Sequence, residues 1–411
     1  MQEINISEHN FEQCQKCGIC NDVCPMMAAN PAYPGPKQAG PDGERYRLKD
    51  KEFYDYALKY CLNCKRCEVA CPSGVKVPDI IQSAREKYNT HKSVKLRDMM
   101  LASTDLMGTM VRPVAPIANT VLGWGITKSV LDGVMAIDHR RTFPKYSGEG
   151  FEKWFKKKAA ASQASFKHQI SYFHGCYVNY NYPQLGKDFV TVMNALGYGV
   201  NLLDGEKCCG VAMVSAGMFD KARKNAENNI KVISEAIGDK VLTTSTSCTL
   251  MMRDEYKEVL GMDNSSVRDS IVLALKFIYE LVDQKKVKLV FKKDYKARAA
   301  YHVPCHMEKL GWSIFTRELL GMIPGLELIL LDSNCCGISG TFGFKKENYE
   351  ISQKIGKPLF DQIEAVNPDF VACECETCKW QIEMSTKSKV KNPISILAEA
   401  LDLEATAEAN K

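Results

Sequence analysis

Three features of this 411-residue chain predict a multidomain α+β fold. An eight-cysteine cassette lies near the N-terminus, a second cysteine pattern repeats through the C-terminal half, and strand–helix alternation is confined to that repeat. The expected order is an α-helical cysteine-bearing domain over 1–91, an amphipathic or linker region over 92–167, and two tandem α/β Cys-Cys-Gly domains over 168–290 and 291–411. With 45% hydrophobic and 25% charged residues, the composition suits a globular protein with real cores.

The cassette reads Cys14-x2-Cys17-x2-Cys20-x3-Cys24-Pro25 and then Cys61-x2-Cys64-x2-Cys67-x3-Cys71-Pro72. Three thiolates at this spacing can wrap one cubane on a single turn, while the fourth, followed by proline, ligates the neighbouring cluster. The expected pairing is Cys14, Cys17, Cys20 and Cys71 on one [4Fe-4S] cluster, and Cys61, Cys64, Cys67 and Cys24 on the second. Zinc sites usually pair two Cys-x2-Cys units across a long gap, not four cysteines in eleven residues twice over. The 36-residue separation of Cys24 and Cys61 favours a helical two-cluster ferredoxin domain over a small β-rich one. Within it, the Pro- and Gly-rich Asn30–Asp50 segment predicts turns and extended chain, Lys51–Lys59 regains helical character, and Pro78–Tyr88 has the spacing of a short helix.

The formal net charge of +5 is small and scattered, which excludes a nucleic-acid footprint; Lys156-Lys157-Lys158 reads as a solvated run. Eighteen cysteines after a polar Met1–Phe11, which has no apolar signal-peptide core, imply a reducing compartment, the cytoplasm.

From Lys92 to Tyr146 the chain holds no cysteine. Leu96, Met99, Met100, Met107, Met110 and Val111 form a helical stripe, with Arg97, Asp98 and Asp105 elsewhere on the wheel. Pro113–Thr127 carries no charge but is shorter than the about 20 residues a membrane-spanning helix needs. Val130–Ile137 is a further apolar stretch, interrupted by Asp132. Two readings stand: helices packed on their own protein, or an interfacial foot with its apolar face in a membrane surface. Lys153–Lys167, rich in Lys, Ala and Ser, reads as a linker.

The repeat follows. Its first copy carries Cys176, Cys208-Cys209-Gly210 and Cys248; its second carries Cys305, Cys335-Cys336-Gly337, Cys375 and Cys378. Apolar runs at Ile170–Phe173, Val241–Thr244 and Phe370–Ala372 end at cysteines, with helical stretches between (Gly186–Leu196, Asp220–Ala236, Glu347–Ile363). Ligands at strand C-termini are α/β logic. The glycine after each cysteine pair allows a close backbone approach to a ligand. Five thiolates in copy two exceed the four of zinc or an ordinary cubane, so an enlarged or rearranged third cluster, or a labile ligand, is expected there. Copy one has Met251 where Cys378 would fall, and its four thiolates suit zinc or a cluster. Cys373 is left unassigned. His174, His302 and His306 flank the leading cysteines, either as proton-handling groups or as satisfied core histidines.

This framework resembles the heterodisulfide-reductase-related iron–sulfur subunits. The segments Asn30–Arg45, Leu58–Pro72 and Ala136–Lys145 narrow the resemblance to the iron–sulfur subunits of anaerobic glycerol-3-phosphate dehydrogenases. It implies an electron-transfer subunit, peripheral on the cytoplasmic face of the inner membrane. Flavin-bearing A- and B-type partner subunits would oxidise sn-glycerol 3-phosphate, and this chain would pass the electrons to menaquinone. It also implies that the five cysteines of copy two hold a non-cubane [4Fe-4S] cluster, with zinc or a cluster in copy one. No Gly-x-Gly-x-x-Gly opens a strand–turn–helix unit, so no flavin or NAD is expected in this chain and no catalytic residue is assigned. A thiol/disulfide reductase acting at copy two, or an iron–sulfur subunit of a glycolate- or lactate-oxidising complex, would use the same cysteines.

Overall fold

The computed structural model describes residues 10–50, 52, 53, 55–89 and 94–411. The expected boundary at residues 91 and 92 lies outside these, as do Lys51 and Tyr54.

The N-terminal unit is helical. Its longest helix, α1 (Val77–Asn89), has a proline in its first turn and buries Val77, Ile80, Ile81 and Ala84, the i, i+3, i+4, i+7 face of a helix. That face packs with Phe11, Met26, Tyr33 and Leu58, and the cluster continues into Cys335, Phe342 and Ile355 of the second copy. The Asn30–Asp50 segment corrects one expectation: it contains a wide π turn over Gln38–Asp42 and an α-helix over Gly43–Lys49. Buried Arg47 pairs with Glu44 at 2.6 Å and donates to the carbonyls of Ala39 and Gly40, satisfying backbone around Pro41 that regular helix bonding would otherwise serve. Of the helical character expected over Lys51–Lys59, the described residues show a 3-10 turn at Tyr56–Tyr60.

Four helices follow: α2 (Leu96–Ala102), α3 (Thr104–Val111), α4 (Ala115–Gly123) and α5 (Gly125–Met135). The stripe read from sequence does not face inward as a unit. Leu96 and Met110 are exposed, Met99, Met100 and Met107 are half-buried, and Arg97 is buried, donating to Glu347 at 2.8 and 2.9 Å. The Ala136–Lys145 motif ties these helices to the second copy. Ile137 bridges Lys345, Asp138 N–H donates to Phe344 O at 3.1 Å, and fully buried Arg141 donates to Ser352 Oγ at 2.9 Å.

Lys153–Lys167 is not a linker. A helix over Phe151–Lys158 buries Phe151 and Phe155 in the first core and leaves Lys156, Lys157 and Lys158 exposed.

Each repeat copy forms a four-stranded, all-parallel sheet: β1 (His168–Phe173), β2 (Tyr198–Leu202), β3 (Val241–Thr243) and β4 (Ile271–Leu273) in the first, and β5 (Ala297–Tyr301), β6 (Leu326–Leu330), β7 (Phe370–Ala372) and β8 (Val390–Lys391) in the second. Strand orders are β2-β1-β3-β4 and β6-β5-β7-β8. Both reverse direction beside their first strand, the place where open parallel sheets bind ligands beyond the strand C-termini. Each sheet has a core of its own, around Val241 and Ile271 in the first and Val371 and Val390 in the second, and the two share a third. That shared core joins Tyr172, Phe189 and Leu275 of the first copy to Tyr301, Leu319 and Leu397 of the second.

Candidate functional site

The two N-terminal cysteine runs wind alike. Lys16 and Gly18 in the first, and Asn63 and Lys65 in the second, have positive φ (59, 86, 53 and 65°) at matching places between the cysteines. This left-handed alternation curls each loop so that its thiols converge. The crossed grouping is visible in the electrostatics. Burial, then the charges of Cys14, Cys17 and Cys71, push the Cys20 thiol up to about 11. Cys24, pushed up to about 12 chiefly by burial, feels Cys64 and Cys61 of the other run. Val75 N–H points at Cys71 Sγ at 3.4 Å. Two groups of four soft donors, each closed by the other run's last cysteine, fit iron–sulfur clusters.

The repeat cysteines all lie just beyond strand C-termini. Cys176 follows β1, Cys208 and Cys209 follow β2, and Cys248 follows β3; Cys305, the pair Cys335–Cys336, and Cys375 with Cys378 follow β5, β6 and β7. In copy one, Cys176 Sγ is 3.8 Å from Cys208 Sγ, and Cys209 contacts both Cys208 and Cys248. In copy two, Cys336 contacts Cys335 and Cys378, and Cys375 contacts Cys378. All 18 cysteines are free thiols, and such dense sets fit soft metal ions. Met251 is fully buried in an apolar core, so copy one offers four thiols.

Gly210 and Gly337 have φ of 96 and 86°, which a left-handed turn requires. Gly337 also lies tight against protein: a Cβ there would lie 2.1 Å from Ser352 O on helix α6 (Tyr349–Val366).

Equivalent loops of the two copies meet. Thr246 N–H donates to Glu374 O at 3.1 Å, Ser245 Oγ to Glu376 at 2.8 Å, and Ser247 Oγ lies 3.6 Å from Cys375 Sγ. The second ferredoxin loop docks at the same place. Arg66 donates to Ser333 O at 3.0 Å, Lys309 to Glu68 at 2.6 Å, and His306 Nε2 is 3.3 Å from Asn63 O. Cys64 is close enough that its charge, after burial, raises the Cys305 thiol. One cavity of about 830 Å³ is therefore bordered by Cys61 and Cys64 and by the cysteines of both copies.

Several polar residues of this region are not legible in the sequence. Lys65, 1% exposed, pairs with buried Asp79 and with buried Glu255 at 3.2 Å. Asp105, expected merely to lie off the apolar stripe, accepts from Cys208 N–H at 2.7 Å; burial and then Cys208 push its carboxyl up to about 7. The histidines divide. His174 is buried between Glu206 and Glu152; burial opposes its charge, but the carboxylates outweigh burial and hold it at about 10. Burial depresses His302 to about 4, and neither ring nitrogen has a partner among the described residues; Cys373 and Cys378 lie beside it. His306 is shared between Ser247 and Asn63.

Comparison with known proteins follows the same division of the chain. The 4Fe-4S dicluster domain family matches residues 10–75, and the cysteine-rich domain family matches 170–253 and 299–383. Fold and site together define an iron–sulfur protein of the dicluster and Cys-Cys-Gly class. The C subunit of the anaerobic glycerol-3-phosphate dehydrogenase of Escherichia coli is 55% identical over 96% of this chain and 100% of its own length. The chain belongs to that family of C subunits. More distant relatives are the B subunit of the fumarate reductase (CoM/CoB) of Methanothermobacter marburgensis, 25% identical over 95% of this chain and 71% of its own length, and lactate utilization protein A 2 of Bacillus cereus, 29% identical over 54% of this chain and 93% of its own.

Proposed function

We propose that this chain is the electron-transfer and membrane-docking subunit of an anaerobic glycerol-3-phosphate dehydrogenase, carrying electrons from flavin-bearing partner subunits to menaquinone at the cytoplasmic face of the inner membrane. The single observation that carries this reading is the seating of the Cys61–Cys67 loop against Cys305 and Cys335, with both in one cavity. Cys14, Cys17, Cys20 and Cys71 would hold one [4Fe-4S] cluster, and Cys61, Cys64, Cys67 and Cys24 a second. Cys305, Cys335, Cys336, Cys375 and Cys378 would hold a third, non-cubane cluster, and Cys176, Cys208, Cys209 and Cys248 zinc or a cluster. When bound, such clusters supply one-electron transfer. The chain's own residues keep the path short: Arg66, Lys309 and His306 clamp the ferredoxin loop to copy two, and the loops at Ser247 and Cys375 keep the two copies in contact.

Membrane docking rests on α3–α5. Leu106, Met110, Ile117, Trp124, Ile126, Val130 and Val134 are all exposed, an apolar face of the kind that lies in a membrane interface. Among the described residues no helix is long and apolar enough to cross a membrane.

The test is EPR on the anaerobically isolated complex. Glycerol 3-phosphate should reduce this subunit's clusters, and a menaquinone analogue should reoxidise them. No reduction beside an active flavoprotein would remove the assigned donor. A disulfide-reductase reading is favoured by the shared cavity of the two cysteine sets, and is opposed by the four-thiol copy one. Reoxidation by a disulfide but not by the quinone analogue would establish it.

A further inference from the structure

The cavity between the two copies is bordered by several kinds of surface, charged side chains such as Arg97, Asp98 and Lys345 among them. One part carries the repeat cysteines and Cys64. Another part has no metal ligand and is formed by Met107, Val111, Val121, Leu122, Leu131 and Met135 of α3–α5. Those helices are apolar on both sides, since Leu106, Met110, Ile117, Ile126, Val130 and Val134 face outward and are exposed. This accounts for the charge-free run at Pro113–Thr127: the helices separate the apolar wall of the chamber from an apolar exterior, and neither face calls for a charge. Among the described residues, the polar side-chain atoms on the cavity that make no hydrogen bond include Asn63 Oδ1 and a hydroxyl of the second copy. Thr341, 4% exposed, borders the cavity, and its hydroxyl makes no hydrogen bond among the described residues. A buried hydroxyl left in that state is unfavourable unless a ligand oxygen meets it.

We infer that this cavity binds an isoprenoid quinone, with its ring beside Thr341 and the cysteine sets and its tail leaving through α3–α5 toward the exposed apolar face. The inference rests on the proposed relay and gives it a site. A small polar disulfide would not need the apolar wall of α3–α5, whereas a flat ring with two carbonyl oxygens on an isoprenoid tail matches the wall, the hydroxyl and the outer face together. The chemistry balances. Oxidation of one glycerol 3-phosphate on the flavin-bearing partner releases two electrons and two protons; the quinone takes up two electrons and two protons from water, and both its carbonyls become hydroxyls.

The experiment uses the intact complex with its clusters, reconstituted in phosphatidylglycerol nanodiscs. An azido-naphthoquinone with a short isoprenoid tail is photolysed, and the labelled peptides are mapped. Label within 104–123 or 339–348, competed away by menaquinone, is the expected result. Leu122→Trp, which narrows the chamber at its apolar wall, should cut labelling at least about tenfold. Thr341→Val, nearly isosteric, should weaken binding about fivefold, the loss of one hydrogen bond, with iron content unchanged. Label confined to partner subunits or to the outward residues of α3–α5 would overturn the site, as would Leu122→Trp and Thr341→Val complexes that both bind normally. EPR reduction by glycerol 3-phosphate is recorded on the same samples. Reduction without label in the chamber rejects this site and leaves the relay standing, whereas absence of reduction rejects the relay itself.

Discussion

Lys65 sits inside the second cysteine run with its ammonium buried against Asp79 and Glu255. Nothing nearby in sequence announces this, because Glu255 belongs to the first repeat copy, 190 residues away. Removing one partner of a buried charge set leaves the others uncompensated, so Lys65→Met should lower stability by about 3–5 kcal/mol, read as a fall in the anaerobic denaturation midpoint. Cys64→Ser tests a different property. It should remove one cluster, about four iron atoms per chain, and stop glycerol 3-phosphate-driven quinone reduction while far-UV circular dichroism stays unchanged. At this scale the cysteines were legible because the spacing of thiolates on one turn is a local signature. Asp105 and His302 were not, because what marks them is a neighbour brought by the fold: Cys208 for one, Cys373 and Cys378 for the other.

The strands of the repeat could be read as elements because short apolar runs ended at ligands, and β1, β3 and β7 lie where those runs fell. The segment over Lys153–Lys167 was misread because its lysines dominate its composition, whereas Phe151 and Phe155, one helical turn apart, anchor it. For α2–α5, periodicity indicated helices but not their orientation. The half-buried Met99, Met100 and Met107 are poor sites to probe membrane contact, and Ile126 and Val134, 80 and 81% exposed, are good ones. Ile126→Glu with Val134→Glu should move the complex from floating with phosphatidylglycerol liposomes to remaining in the aqueous fraction, since each lost apolar contact is worth about 1.5–3 kcal/mol. Asp132 fastens α5 to the body. Hydrogen bonds from Lys346 and then His139 hold its carboxyl well below the usual carboxylate range. A depressed folded pKa means that its stabilising contribution is present above about pH 4, the unfolded value, and is lost as pH falls through the folded one. Asp132→Asn should reproduce the acid form at neutral pH, seen as faster amide exchange in α5 with the sheets unaffected.

Across the whole molecule, the ferredoxin unit and the two copies act as one packed body. The first core runs through both sheets, and the ferredoxin core includes Cys335 and Phe342. Arg66→Ala should loosen this assembly where it matters most. Iron content should be unchanged, and reoxidation of the reduced clusters by a menaquinone analogue should slow in rapid-freeze EPR. From its order of residues alone, this protein determined its cysteine groups, the register of its two copies and the helical character of its N-terminal half, since ligand spacing, hydrophobic period and repeat length are all properties of neighbours along a chain. The tertiary structure alone decided that the two copies share a core, that their cysteines and Cys64 face a single cavity, and that α3–α5 are apolar on both sides. Those outcomes depend on which surfaces meet across more than a hundred residues, and side-chain packing, not chain-local pattern, selects them.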